Sequence, residues 1–210
     1  MTRQAQALFG VESVWTDEHP LRVFGGQQYR AADVTVEGDW SNGAFWLAAK
    51  ALGNELDVRN LNPDSLQGDR ASASILKDLK DNIVIDARDI PDLVPILSVV
   101  AGANQGAEFT NIQRLRLKES DRVASTIAMI ENLGGKAVEM GGHLVVHGTG
   151  LRGGTVDSVN DHRIAMSAAI AATVCTEPVT ILGAECVEKS YPKFWAEYAR
   201  LGGNYELDLR

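Results

Sequence analysis

The sequence has 210 residues, of which 45% are hydrophobic and 23% are charged, and this balance excludes an intrinsically disordered chain. Its formal net charge of −8 argues against nucleic acid as the main partner, because a phosphate backbone requires a basic surface. Small anionic ligands stay open, since they need only a few local cations.

The composition of the longest apolar runs indicates buried helices. These runs begin at Leu93 and Ile164 and span about a dozen residues, whereas a membrane helix needs roughly 20. The first fifteen residues contain no apolar core of signal-peptide length. The two cysteines, Cys175 and Cys186, could pair, but two thiols do not form a disulfide framework, and we expect a reducing cytoplasm.

The first 37 residues have the pattern of the end of a larger unit. Residues 2–9 resemble the last turns of a helix that stops at Gly10, yet no capping residue begins that helix. Short strands are predicted at residues 11–15, 21–26 and 33–38. We therefore place a domain boundary near Gly38, with residues 1–37 as the tail of a preceding domain and residues 38–210 as the next domain.

From Gly38 onward the sequence repeats one layout three times. A polar cluster precedes a small-residue helix and a strand, and about 30 residues further on a second polar cluster precedes an amphipathic helix. The first clusters are residues 38–42, 89–92 and 160–163, and the second clusters are residues 67–70, 118–122 and 188–192. The small-residue helices are predicted at residues 43–52, 93–103 and 164–174, and their strands at residues 55–61, 107–112 and 178–183. The amphipathic helices are predicted at residues 71–79, 123–135 and 193–203.

Further strands complete the repeating unit. Residues that alternate around Gly141 and Gly142 predict a hairpin, and a last strand is predicted at residues 204–209. In the first copy the hairpin is reduced to residues 80–82, which precede a strand at residues 83–87. The sequence thus predicts an α+β fold of β-α-β-α-β-β units, with apolar helices in the middle and sheets outside.

The polar clusters stand at predicted helix N-termini, where free N–H groups and the helix dipole favour anions. The second and third copies add four cations and four carboxylates: Lys118, Arg122, Arg163, Lys189, Asp92, Glu119, Asp121 and Asp161. If these groups converge, they could bind a phosphate and a carboxylate together and perform acid–base chemistry. The histidines have no metal-ligand spacing, so no metal is expected, and the glycines form no nucleotide-binding fingerprint.

A structural interpretation of the same clusters stays open. Asp39, Asp92 and Asp161 are equally suited to cap helices. The segment from Lys118 to Arg122 is, by itself, a common solvated helix start.

Three segments resemble signatures of the EPSP synthase family, the 3-phosphoshikimate 1-carboxyvinyltransferases: Leu115–Arg122, Asn160–Ile170 and Glu188–Trp195. Residues 36–49 and 90–97 match the same family in the same order, so the resemblance covers nearly the whole chain. It implies the enolpyruvyl transferase fold, in which two domains, each a threefold array of the unit above, enclose the active site. The implied reaction transfers an enolpyruvyl group from phosphoenolpyruvate to the 5-hydroxyl of shikimate 3-phosphate, releases phosphate and serves aromatic amino acid biosynthesis. No metal or organic cofactor is implied.

The resemblance also implies roles for matching residues. Asp92 resembles the base that takes the hydroxyl proton and holds the shikimate ring. Lys118 resembles a residue that contacts both substrates and serves in proton transfer, and Glu119 resembles the donor of a proton to the enol methylene. Three further residues resemble the cations that hold phosphoenolpyruvate, namely Arg122, Arg163 and Lys189.

Several family motifs have no counterpart in this sequence, namely the N-terminal Lys-Ser pair, the Ser-x-x-Arg, the Asn-Ser-Gly loop and the Ser-Ser-Gln segment. We therefore expect the chain to supply the C-terminal half of the site, to need the missing N-terminal half as a partner, and to lack turnover alone. On this interpretation residues 1–37 belong to the shikimate-phosphate domain. The family's strand from the extreme N-terminus is also without counterpart, which predicts an unpaired sheet edge and self-association.

Two other functions are kept as alternatives. A non-catalytic anion-binding fragment, or pseudoenzyme, would agree with the absent motifs. The sister transferase that acts on UDP-N-acetylglucosamine shares the fold, but its family does not carry the segments at residues 118–122 and 160–163 in this form.

Overall fold

The computed structural model describes residues 1–18 and 20–208, and the elements below are those of this part of the chain. Its α-helices are α1 (Thr2–Leu8), α2 (Trp40–Ala51), α3 (Ser72–Asp78), α4 (Val94–Ala103), α5 (Arg122–Asn132), α6 (His162–Ala172) and α7 (Phe194–Arg200). Its strands are β1 (Ser13–Val14), β2 (Arg22–Val23), β3 (Ile83–Asp86), β4 (Gly106–Thr110), β5 (Lys136–Met140), β6 (His143–His147), β7 (Gly154–Asp157) and β8 (Val179–Leu182). Three 3₁₀ helices overlap or directly precede the second polar clusters: Gly68–Ala71, Ile112–Leu117 and Ala184–Lys189.

The first copy contains its helices and the strand predicted at residues 83–87, which is β3, but not the strand predicted at residues 55–61. The segments 33–38 and 55–61 were expected to be extended strands, and neither forms one. They are linked by a hydrogen bond from the Gly38 N–H to the Asn60 carbonyl (3.1 Å). Because Asn60 has a φ of 65°, the left-handed conformation interrupts the second segment and prevents a ladder.

From residue 83 to residue 147 the α-helices and strands follow the order β3, α4, β4, α5, β5 and β6. Strand β3 pairs in parallel with β4, and β6 joins β4 and β5 by antiparallel pairing, so the sheet order is β3-β4-β6-β5. The hairpin prediction is confirmed: Gly141 and Gly142 have φ values of 61° and 79°, which a two-residue turn with two left-handed positions requires.

The third copy contains a smaller sheet. Strand β7, which the sequence pattern did not predict, pairs in parallel with β8. The strand predicted at residues 204–209 is not observed over residues 204–208, and residue 209 lies outside the described residues. A groove of about 1390 Å³ is lined both by residues of β8 and by residues 201–208.

The apolar helices lie at the centre, as their composition predicts. Every residue from Val94 to Gly102 of α4 is buried, and so is every residue from His162 to Ala171 of α6. The amphipathic helix α5 buries one face against these two helices. At the N-terminal ends of α5 and α6 and in the turn before α4, the buried charged residues meet.

Candidate functional site

One buried guanidinium connects three segments of the chain. Arg122 is the first residue of α5 and is fully buried. Its Nη1 lies 2.5 Å from Asp92 Oδ1, its Nη2 lies 2.5 Å from Glu119 Oε2, and its Nε lies 2.8 Å from Asp161 Oδ2. Burial disfavours the charged form of Arg122, but Asp161, Asp92 and Glu119 outweigh it and raise its pKa. These four residues come from three segments of the sequence, and the fold brings them together.

Asp92 is surrounded by cations and caps no helix. The α4 N-cap is Leu93, which makes no side-chain capping bond, so the capping alternative is wrong for Asp92. Its carboxylate lies 2.9 Å from Lys118 Nζ and 3.8 Å from Arg163 Nη2, in addition to Arg122. Burial opposes ionisation of Asp92, yet Arg163, Lys118 and Arg122 together lower its pKa to about 2.

Asp161 both caps a helix and forms an ion pair. Its Oδ1 accepts the N–H of Arg163 (2.9 Å) at the start of α6, and its fully buried carboxylate also accepts from Ser120 Oγ (2.9 Å). Burial opposes its charge, but Arg122 lowers the pKa of Asp161. Asp39, in contrast, only caps α2 by accepting the N–H of Ser41 (2.8 Å), so the capping interpretation is sufficient there.

Arg163 is buried with donors that the chain leaves unused. The residue is 7% exposed, and its guanidinium lies over the ring of Phe45, with 5.8 Å between Cζ and the ring centroid. Its Nε and Nη1 have no hydrogen-bond partner within the described residues, and neither does His162 Nδ1. Burial, assisted by the charge of Arg163, lowers the pKa of His162. Buried donors are normally satisfied, so Arg163 is the group here that is best placed to receive an anion.

The remaining predicted residues divide into two groups. Lys189, at the end of the third 3₁₀ helix, donates from Nζ to the carbonyl of Asn160 (2.6 Å), beside Asp161 rather than within the ion-pair cluster. Asp121 is directed elsewhere, because it caps α5 and lies 2.7 Å from Arg116. The cluster itself therefore contains five of the six residues that the resemblance singled out: Asp92, Lys118, Glu119, Arg122 and Arg163.

Sequence reasoning missed a carboxyl group from the first copy. Asp69 is 8% exposed, and its Oδ2 accepts a hydrogen bond from Ser41 Oγ. The signal was available, since residues 67–70 are the second polar cluster of the first copy and correspond to residues 118–122 in the second.

Within residues 1–18 and 20–208, no three His, Cys, Asp or Glu side chains are arranged to hold a metal ion; His19 lies outside that part. No α-helix in the described chain is long and apolar enough to cross a membrane. The cluster thus offers fixed cations for anion binding and carboxylates for proton transfer.

Comparison with known proteins gives a consistent result. The family model for EPSP synthase (3-phosphoshikimate 1-carboxyvinyltransferase) matches residues 2–86 and 79–198. The 3-phosphoshikimate 1-carboxyvinyltransferase of Clostridium kluyveri is 42% identical over 223 residues, which cover 96% of this chain and 52% of that protein. The enzyme of the same name from Clostridium acetobutylicum is 42% identical over 221 residues, which cover 97% and 52%.

Solved structures show the same fold. The 2.37 Å structure of EPSP synthase from Acinetobacter baumannii has a TM-score of 0.82 at 24% sequence identity, over 98% of this chain and 55% of that one. The chain spans about half the length of the relatives that it matches. From the family model and these relatives, the chain belongs to the EPSP synthase family.

Proposed function

We propose that this chain supplies the C-terminal half of a site that transfers the enolpyruvyl group of phosphoenolpyruvate to shikimate 3-phosphate. The observation that carries the proposal is the pair formed by Arg163 and Asp92. A buried guanidinium with two unpartnered donors lies 3.8 Å from a carboxylate, so an anion bound to the first is next to a base. The names of the relatives supply the substrates.

Asp92 takes the proton of the acceptor hydroxyl in this proposal. A carboxylate with a pKa of about 2 is a weak base, because three cations hold it in the ionised form. A bound phosphoenolpyruvate would draw Lys118 and Arg163 onto its own phosphate and carboxylate. The pKa of Asp92 would then rise, so that anion binding and base strength increase together.

The other cluster residues complete the reaction. The hydroxyl oxygen adds to C2 of phosphoenolpyruvate while Glu119 gives a proton to C3. The Glu119 carboxylate then takes a proton back from C3 while the bond between C2 and the phosphate oxygen breaks, which restores the double bond and releases phosphate. Lys118 contacts both substrates, and Arg163 and Lys189 hold the phosphate and carboxylate. Arg122, whose donors are paired with three carboxylates, keeps Asp92 and Glu119 in position next to them. Fixed positive charge next to the developing tetrahedral centre stabilises it without reorganisation.

The domain assignment and location form part of the same proposal. Residues 1–37 would belong to the shikimate-phosphate domain and residues 38–210 to the C-terminal domain. The cytoplasm, where both substrates would be made, is the proposed location. The groups that bind the shikimate phosphate would come from a polypeptide that corresponds to the other half of the relatives, whose length this chain covers to about 52%.

The test is phosphate release from the two substrates. We expect none from residues 1–210 alone, and turnover after addition of a polypeptide that corresponds to the first half of the Clostridium kluyveri relative. The same mixture with Arg163→Gln should lose turnover, whereas Arg59→Gln, at an exposed surface pair, should retain it. Turnover by the chain alone would contradict the half-site proposal, and failure of the mixture would leave a non-catalytic anion-binding fragment as the better description. UDP-N-acetylglucosamine as acceptor is not favoured, since the relatives are named for 3-phosphoshikimate.

Self-association through a sheet edge is the second part of the proposal. Strand β8 pairs with β7 on one side, and on its other side the described chain places the open groove rather than a strand. The equivalent strand of the second copy, β4, is paired on both edges. An extended segment from a second copy could therefore add to β8. Sedimentation velocity should show a concentration-dependent dimer that Thr180→Lys weakens, and a sharp monomer at all concentrations would contradict it.

A further inference from the structure

Asp69 lies between the start of α2 and the loop that carries Asp92. Its 3₁₀ helix is fixed to the start of α2 by Gln67, whose side chain accepts the N–H of Trp40 (2.9 Å) and donates to the Gly38 carbonyl (2.9 Å). On the other side, a Cβ at Gly68 would lie only 2.9 Å from the carbonyl oxygen of Asp89. This close approach holds Asp69 against the loop that carries the proposed base.

The surroundings of Asp69 make its negative charge costly. Burial is the main cause that raises the pKa of Asp69; Ser41 and Arg163 oppose the rise, and the carboxylates of Asp92 and Asp39 add to it. Arg70, the charged neighbour on the same 3₁₀ helix, donates instead to the Pro63 carbonyl. If the side chain at position 69 served packing alone, an uncharged side chain would be more stable there than a buried carboxyl group.

We propose that Asp69 is a positioning residue that acts through Arg163 and Asp92, and this inference rests on the proposed function. Ser41, which donates to Asp69, and Phe45, whose ring lies 5.8 Å from Arg163 Cζ, are one turn apart on the same face of α2, so the Asp69 carboxylate lies on the side of α2 that Arg163 covers. From there its charge attracts the guanidinium that has unpartnered buried donors and weakens anion capture by Arg163. The same charge repels the carboxylate of Asp92 and so increases its proton affinity. Asp69 thereby balances tight anion binding against base strength, and the first copy of the repeat contributes to the chemistry of the other two.

The experiment compares the full chain with Asp69→Asn, which keeps the shape and the acceptor for Ser41 but removes the charge. Calorimetry with phosphoenolpyruvate should show binding about three- to tenfold tighter in the variant, since one competing charge is lost. Asp57→Asn removes an exposed carboxylate at Arg59 and should leave the affinity unchanged.

A second measurement does not depend on substrate binding. Carbon-13 NMR titration of the Asp92 carboxyl should give a lower pKa in Asp69→Asn, because a like charge is removed while Lys118, Arg122 and Arg163 remain. Weaker or equal binding in Asp69→Asn, or an unchanged Asp92 pKa, would overturn the inference. If the native chain does not bind phosphoenolpyruvate at all, the proposed function fails instead, and the titration still decides the role of Asp69.

Discussion

The first turns of α5 and α6 each place an arginine in the same buried region, yet the two guanidiniums have opposite surroundings. Arg122 contacts three carboxylates at 2.8 Å or less, and the chain itself satisfies it. Arg163 has one carboxylate at 3.8 Å, an aromatic ring below it and two donors without a partner in the described chain. A buried charge must be paired, so the first arginine belongs to the fold and the second remains available to a ligand.

The largest expected effect is a difference in the free energy of unfolding between variants of the two arginines. Arg122→Met would leave three neighbouring carboxylates without their cation, and we expect a loss of about 3–5 kcal/mol in the free energy of unfolding. Arg163→Met removes a charge that Asp92 at 3.8 Å and Asp69 compensate only in part, so its loss should be clearly smaller. Urea unfolding of both variants, followed by circular dichroism, measures the difference. Equal losses would show that Arg163 is structural as well and would break the comparison.

The second effect concerns ligand binding, which we expect to depend on Arg163. In Arg163→Gln the affinity for phosphoenolpyruvate should fall by about ten- to a hundredfold, which corresponds to the loss of one or two charge-assisted hydrogen bonds. Calorimetry with the full chain measures this loss. The matched control is Arg200→Gln, whose guanidinium pairs with Glu197 on the surface, and its affinity should not change. If Arg163→Gln bound as tightly as the native chain, the unpartnered donors would not mark the anion site.

The sequence predicted the helices better than the strands. The apolar composition of residues 93–103 and 164–174 was sufficient for α4 and α6, because a helix forms its hydrogen bonds locally. The strand at residues 55–61 was predicted from the repeated layout, but a strand also needs a partner edge. The left-handed Asn60 removes that edge in a way that a hydropathy pattern does not reveal.

The site was predicted as a set of residues but not as an arrangement. Motif resemblance selected Asp92, Lys118, Glu119, Arg122 and Arg163, and the fold brings them together. The motif resemblance assigned both arginines to the same ligand. The carboxylates satisfy only one of the two guanidiniums, and this depends on contacts between distant segments, such as that of Arg122 with Asp161, 39 residues further along the chain. Asp69 was missed for the same reason, since its neighbours come from three different helices and loops.

The smallest expected effect concerns the stability of the fold at acidic pH. The pKa of Asp92 is lowered to about 2 from an ordinary value of 3.8, so its contribution to stability is present above about pH 4 and is lost as the pH falls through about 2. Arg163 is the first of the cations that lower this pKa. In Arg163→Met the pKa of Asp92 should therefore rise toward its ordinary value, so that the same loss is smaller and occurs at higher pH. Urea midpoints measured between pH 2 and 5 test this expectation. If the urea midpoints of the native chain and of Arg163→Met changed with pH in the same way, Lys118 and Arg122 alone would hold Asp92 in its ionised form.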